Sequence, residues 1–216
     1  MSSALNGKRV LVSAGGTREP IDSVRFVGNR SSGRMGVALA EEAARRGAEV
    51  TLVASNLGVT PSAALQVVQA PTAADVEREV LARGDAQVVL MAAAVADYRP
   101  ARVESGKRPK DEETWELELE PTVDVLGELG ERRTNGQVLV GFAAEASENG
   151  LERAREKLAR KQVNLIVFND VSRGDVGFDT PDNEVVIVSA EAERRVPKAP
   201  KEEIAAAILD EVEKLV

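Results

Sequence analysis

Residues 92–110 read AAAVADYRPARVESGKRPK, and no other stretch combines so many groups suited to nucleotide chemistry. Ala92, Ala93 and Ala94 open a small-residue strand end that runs to Ala96. Small side chains let a ligand come close to the backbone. Asp97 follows at once, and Lys107 and Lys110 lie in a polar loop about ten residues on. A carboxylate can hold a cation, and ammonium groups can neutralise phosphates, so the pattern points to a nucleoside triphosphate. The plainer reading is a core strand followed by a solvated charged loop.

Other candidate residues lie at strand ends. Ser13-Ala14-Gly15-Gly16 leads into TREPID. Gly15 and Gly16 suit a tight turn and a close phosphate approach. The spacing is not G-x-G-x-x-G and no helix follows at once, which disfavours an ordinary dinucleotide loop; a simple turn is the alternative. In DSVRFVGNRSSGRMG, Asn29 precedes Ser31, Ser32 and Gly33 at an expected helix start. Such serines either cap the helix or help its free N–H groups bind phosphate. Arg25 and Asn29 are four apart, but Val27-Gly28 between them suggests a loop. Phe142, in GFAAE, is either core filler or a flat wall for a base. Lys157 and Lys161 form an i, i+4 pair, most simply a solvated helix face. Asn169-Asp170 closes a strand at the edge where ligands of α/β sheets bind.

These groups must carry any catalysis, because the 216-residue chain has no Cys and no His. That excludes thiolate chemistry, disulfides, Ser-His-Asp hydrolysis and His metal sites. A net charge of −8 argues against a nucleic-acid partner. The sequence shows neither a transmembrane-length apolar run nor a signal peptide, so no membrane partner and a cytoplasmic location are expected. Residues Met1 to Asn6 read as an initiation segment at a domain boundary.

The elements expected to position these residues alternate. Strands are expected at 8–13, 49–54, 65–70, 87–93, 137–144, 164–169 and 184–189, and helices at 33–46, 71–83, 123–133, 149–161 and 201–216. Apolar runs with little alternation suit a parallel sheet covered on both faces. The rhythm breaks over 98–112. Thr114–Glu120 (TWELELE) then alternates, as a half-exposed strand would. The expected fold is α/β: one doubly wound, mostly parallel Rossmann-like domain over 1–216, with an inserted arm at about 98–120.

In order and spacing, AGGTREPID, GNRSSGRMG, AAAVADYRP, the Lys107 loop, GFAAE, the Lys157/Lys161 helix and FNDV resemble the bacterial phosphopantothenoylcysteine synthetase family of coenzyme A biosynthesis. The resemblance runs from about Gly7 to the C-terminus. It implies a phosphopantothenate–cysteine ligase that joins 4′-phosphopantothenate to cysteine through an acyl-cytidylate, with CTP as cosubstrate and Mg2+. By the same resemblance, Lys107 stabilises phosphate charge and Asp97 contacts CTP or its cation. Asn29, Arg25 and Ala94 handle the acyl-cytidylate and its attack by cysteine. Phe142, Lys157 and Lys161 serve the nucleotide, and residues 114–120 match an arm that pairs two subunits into a homodimer. A flavin-dependent decarboxylase domain precedes this domain in many bacterial chains and is absent here. There are two departures. The family's Lys-Ile-Lys-Lys reads Lys107-Arg108-Pro109-Lys110, and its Asn-Pro-Asp reads Thr122-Val123-Asp124. The competing readings are an NAD(P)-dependent reductase and a non-catalytic nucleotide-binding module.

Overall fold

The run RVLVSAG at Arg9–Gly15 is buried at every position but the first. Burial on both faces requires a neighbour on each side, and the sheet supplies them. In the computed structural model, which describes residues 3–145, 149–172 and 180–216, the elements follow in this order: β1 (Arg9–Gly15), β2 (Arg18–Pro20), β3 (Phe26–Gly28), α1 (Arg34–Arg45), β4 (Glu49–Ser55), β5 (Gln66–Gln69), α2 (Ala73–Leu81), β6 (Val88–Met91), β7 (Tyr98–Pro100), β8 (Leu119–Pro121), α3 (Val125–Glu131), β9 (Val138–Glu145), α4 (Gly150–Arg160), β10 (Leu165–Asp170), β11 (Asp182–Val188), β12 (Glu193–Pro200) and α5 (Lys201–Glu213).

Eight strands form one sheet in the order β12-β11-β10-β9-β6-β1-β4-β5. All pairs from β10 to β5 are parallel, while β11 and β12 add antiparallel. The chain builds outward from β1 through β4 to β5, then returns to place β6 on the other side of β1. The carboxyl ends of β1 and β6 therefore flank the point where the winding reverses, the usual ligand crevice of such sheets. Helices α1 and α5 pack on one face, around Leu39, Ile204 and Ile208. Helices α2, α3 and α4 cover the other, around Val76, Leu129 and Ala154. This is the doubly wound, mostly parallel sheet expected from the strand runs.

Three departures from expectation have physical causes. A short antiparallel hairpin, β2–β3, stands between β1 and α1. Strand β12 (ERRVPKAP) carries charges and two prolines because it is the sheet's edge, where a missing N–H and a solvated face are tolerated. The third correction concerns Thr114–Glu120. Only Leu119–Pro121 is strand, paired with the three-residue β7. Alternation alone does not make a strand without a partner ladder; Glu118 O still accepts from Ala101 N–H at 3.0 Å, and residues 114–117 are in no strand.

Candidate active site

The crevice beside β1 and β6 is built from small residues tied to the neighbouring strand end. Ala94 N–H donates to Gly15 O at 2.8 Å, and Thr17 N–H donates to Ala94 O at 3.2 Å. Ala93 N–H donates to the Ser13 hydroxyl at 3.1 Å and Ala96 N–H to Thr17 Oγ1 at 2.9 Å. On the far side Thr122 Oγ1 donates to Ala96 O at 2.6 Å, and Thr122 N–H to Asp97 O at 2.9 Å. The loop is thus pinned from both sides and presents a fixed backbone surface.

That surface forms one wall of a cavity of about 870 Å³, whose lining includes Asn29, Ala92–Asp97, Thr122–Leu126, Phe142–Glu145 and the inward face of α4. The site residues expected from sequence that meet here are Asn29, Ala92, Ala93, Ala94, Asp97, Thr122, Val123, Asp124, Phe142, Lys157 and Lys161. Asn29 Nδ2 donates to Val95 O at 3.0 Å, which holds the amide over the small-residue loop. Lys157 Nζ donates to Phe142 O at 2.8 Å. Burial pushes the Lys157 ammonium below its ordinary pKa, with Arg160 adding to the effect and Asp97 and Glu145 opposing it. Lys161 is likewise lowered by burial and supported by Asp97. It pairs with Asp124, whose carboxylate also accepts from Gly127 N–H and caps α3.

A smaller cavity of about 70 Å³ adjoins the first, sharing Ala92 and Phe142–Ala144. Ser31, Ser32 and Gly33 line it with Asn169, Asn183 and Lys201. Gly33 is the cap residue of α1, and among the described residues no side-chain cap hydrogen bond is present there. Among the described residues, Asn169 Oδ1 is buried without a hydrogen-bond partner. A buried acceptor left open on a cavity wall is matched by a ligand that brings a donor.

Four expected residues line neither cavity. Gly15 and Gly16 are required by packing. Gly15 has φ +92°, and a Cβ there would lie 1.7 Å from Ser55 O; one on Gly16 would lie 2.6 Å from Asn29 O. Lys107 is exposed and stands outside the lining. Arg25 also stands outside it; its guanidinium is held by Asp22 and stacks on Trp115 at 4.5 Å. Sequence reasoning missed Arg30, Arg153, Glu156 and Arg160, which do line the cavity. The spacing 153, 157, 160, 161 is one helical face and carried the signal. The cavity wall bears five cations and four carboxylates, against a chain with a net charge of −8. Positive charge is thus concentrated where an anion would sit.

For a divalent ion the donor set is sparse. No group of three or more acidic side chains that could hold a metal exists among the described residues. Asp97 alone, with a nucleotide's phosphates, fits the way Mg2+ usually binds. No helix among them is long and apolar enough to cross a membrane.

The family described as DNA/pantothenate metabolism flavoprotein C-terminal domain matches residues 5–216. The coenzyme A biosynthesis bifunctional protein CoaBC of Bacillus subtilis is 42% identical over 215 residues, 98% of this chain and 52% of that protein. Its namesake in Mycobacterium tuberculosis is 46% identical over 181 residues, 79% of this chain and 43% of that protein. The chain therefore spans about half the length of the curated relatives it matches. The crystal structure of the C-terminal domain of a coenzyme A biosynthesis bifunctional protein CoaBC superposes with a TM-score of 0.83. It is 40% identical, and the match covers 99% of this chain and 98% of that one. Nothing in these matches supports the reductase reading.

Proposed function

The chain belongs to the DNA/pantothenate metabolism flavoprotein C-terminal domain family, and from that premise we propose that it is a CTP-dependent phosphopantothenate–cysteine ligase of coenzyme A biosynthesis. The observation that carries the reading is the pair of adjoining cavities, which meet at Ala92 and Phe142 beside the Asn29 amide. The large one suits a nucleotide. The small one, with an uncapped helix start and an open acceptor on Asn169, suits one end of phosphopantothenate, which brings a phosphate and amide and hydroxyl donors, while the rest of that substrate extends into the large one.

The chemistry needs no His or Cys. The substrate carboxylate is already ionised at neutral pH. Its oxygen attacks the α-phosphorus of CTP, the bond to the β-phosphate oxygen breaks, and pyrophosphate leaves. The amine of cysteine then attacks the acyl carbon and CMP departs. Positioning and charge neutralisation supply most of the acceleration. Lys157 and Lys161 hold the nucleotide, with Phe142 as a wall. Asn29, already turned over Ala94–Val95, orients the acyl group. Lys107 and Arg25, which lie outside the cavity in one protomer, act from the arm and from the β2–β3 turn respectively. Asp97, with the nucleotide phosphates, would hold Mg2+, which would supply further charge neutralisation there.

We read residues 1–216 as one synthetase domain, and the arm as the contact of a homodimer. Val24, Phe26, Tyr98, Val103, Leu117, Leu119 and Val123 are exposed large apolar residues. All lie on or beside β2–β3 and β7–β8, which touch each other. A twofold-related copy would cover this face. We further propose a flavin-dependent decarboxylase domain as the functional partner of this chain and the cytoplasm as its location.

The test is pyrophosphate release with CTP or ATP, with and without phosphopantothenate and cysteine. Release should require CTP and phosphopantothenate but not cysteine, while CMP should require all three. NAD(P)H turnover without ligation would overturn the reading.

A further inference from the structure

Asp22 is a carboxylate with a fully buried side chain, 4% exposed as a residue, outside both cavities. A buried charge costs several kcal/mol unless it is paired, so its partners show what it holds. Oδ1 accepts the N–H groups of Val24 and Arg25 at 2.8 Å each, which closes the turn between β2 and β3. Oδ2 faces elsewhere. It accepts from the Arg25 guanidinium, through Nε at 2.9 Å and through Nη2, and from the Arg108 N–H at 3.3 Å. Arg25 Nη2 also donates to Arg108 O at 2.9 Å. Both main-chain polar groups of Arg108 are therefore engaged by one ion pair, 86 and 83 residues away in sequence.

The side chains complete the arrangement. Trp115 stacks with the Arg25 guanidinium 4.5 Å and the Arg108 guanidinium 5.0 Å from its ring centre. Glu104 N–H donates to Ile21 O at 3.0 Å, a third tether. The basic loop is thus fastened at 104, at 108 and at 115, and Lys107 is the residue next to the central tether. Arg25 holds Asp22 well below the usual carboxylate range, helped by the three N–H groups. The charge therefore persists at any pH where the protein would be assayed.

We propose that Asp22, with Arg25, Arg108 and Trp115, forms a clasp that sets the position of the Lys107 ammonium for the nucleotide step. Asp22 is a positioning residue that acts through the backbone of Arg108. Two of the four members, Arg108 and Trp115, lie in the arm, so the clasp joins the arm to the β2–β3 turn. The inference rests on the role given to Lys107 above. It adds that the loop is held by an ion pair and by guanidinium contacts with Trp115 rather than by the sheet.

The test combines loop order with half-reaction kinetics in the intact protein. Asp22→Asn and Trp115→Leu should speed amide exchange over 104–115, while Trp115→Phe, which keeps an aromatic face, should not. Pyrophosphate release without cysteine should fall about 10-fold or more in Asp22→Asn, and ~10²–10³-fold in Lys107→Gln. The double variant Asp22→Asn/Lys107→Gln should be no slower than Lys107→Gln, because a misplaced and an absent ammonium are equivalent. A merely structural Asp22 would instead give losses that multiply, and that result overturns the proposal. Unchanged exchange with an impaired Lys107→Gln also overturns the clasp but spares the role of Lys107. Full activity in Lys107→Gln removes that role and the clasp's purpose with it.

Discussion

Lys157 offers a perturbation whose effects on folding and on catalysis should have different sizes. Its ammonium is held inside the cavity wall, bonded to Phe142 O at 2.8 Å, and burial lowers its pKa. In the empty protein the charge is therefore poorly solvated. Lys157→Met keeps the length of the side chain and removes that cost, together with one hydrogen bond to a carbonyl that retains a second lone pair. Folding stability should change by no more than about 1 kcal/mol, within the range of a typical substitution. Nucleotide affinity should behave otherwise. A charge-assisted hydrogen bond to an acceptor oxygen is worth about 1.5–3 kcal/mol, and each 1.4 kcal/mol is tenfold. The KM for CTP should rise roughly 10- to 150-fold. The pH dependence follows with a definite sign. Between the lowered folded pKa and the ordinary value near 10.5, the unfolded chain binds a proton that the folded chain does not. Wild-type stability should therefore gain a positive contribution as pH rises through that window, and Lys157→Met should lack it. Nucleotide phosphates favour the charged form, so CTP binding should take up a proton in the same window. Denaturant midpoints from pH 8 upward and titration calorimetry in buffers of different ionisation enthalpy measure both. An unchanged KM with a large loss of stability would refute the reasoning, because Lys157 would then be a structural residue.

Three further outcomes are expected. Asn29→Asp places a negative charge beside Val95 O and the acyl position, so quenched reactions analysed by mass spectrometry should accumulate acyl-cytidylate; an intermediate level equal to that of Lys107→Gln would reject the division of labour. Gly15→Ala combines left-handed strain with a clash against Ser55 O and should lose about 2–5 kcal/mol. Gly136→Ala shares the positive φ without a neighbour within 4 Å and should lose only the strain, about 1–2 kcal/mol; equal urea midpoints would remove the close-packing account. Leu117→Glu with Leu119→Glu should weaken association and lower activity together. Trp115 is left intact there because it serves its own chain, and light scattering that shows a fully active monomer would reject the dimer.

Much of the frame was legible because its signals are local. The buried runs at 9–15, 49–55, 88–91 and 138–145 need no knowledge of their neighbours to read as strands. The helix period of 34–45 or 201–213 is likewise set by residues a few positions apart. The absence of His and Cys, and the clustering of small residues before Asp97, limit the chemistry through residue type and order alone. What the sequence did not contain was adjacency. That β6 returns beside β1, and so makes the crevice, depends on how two faces of a sheet are covered by helices distant in sequence. TWELELE carries a strand's alternation, yet 114–117 is in no strand, and Trp115 goes to two guanidinium groups. Gly15 carries the look of a phosphate loop, yet the oxygen that requires its missing Cβ belongs to Ser55. Periodicity records which way a side chain points from its own backbone. Which atom it meets there is decided by the packing of the rest of the chain.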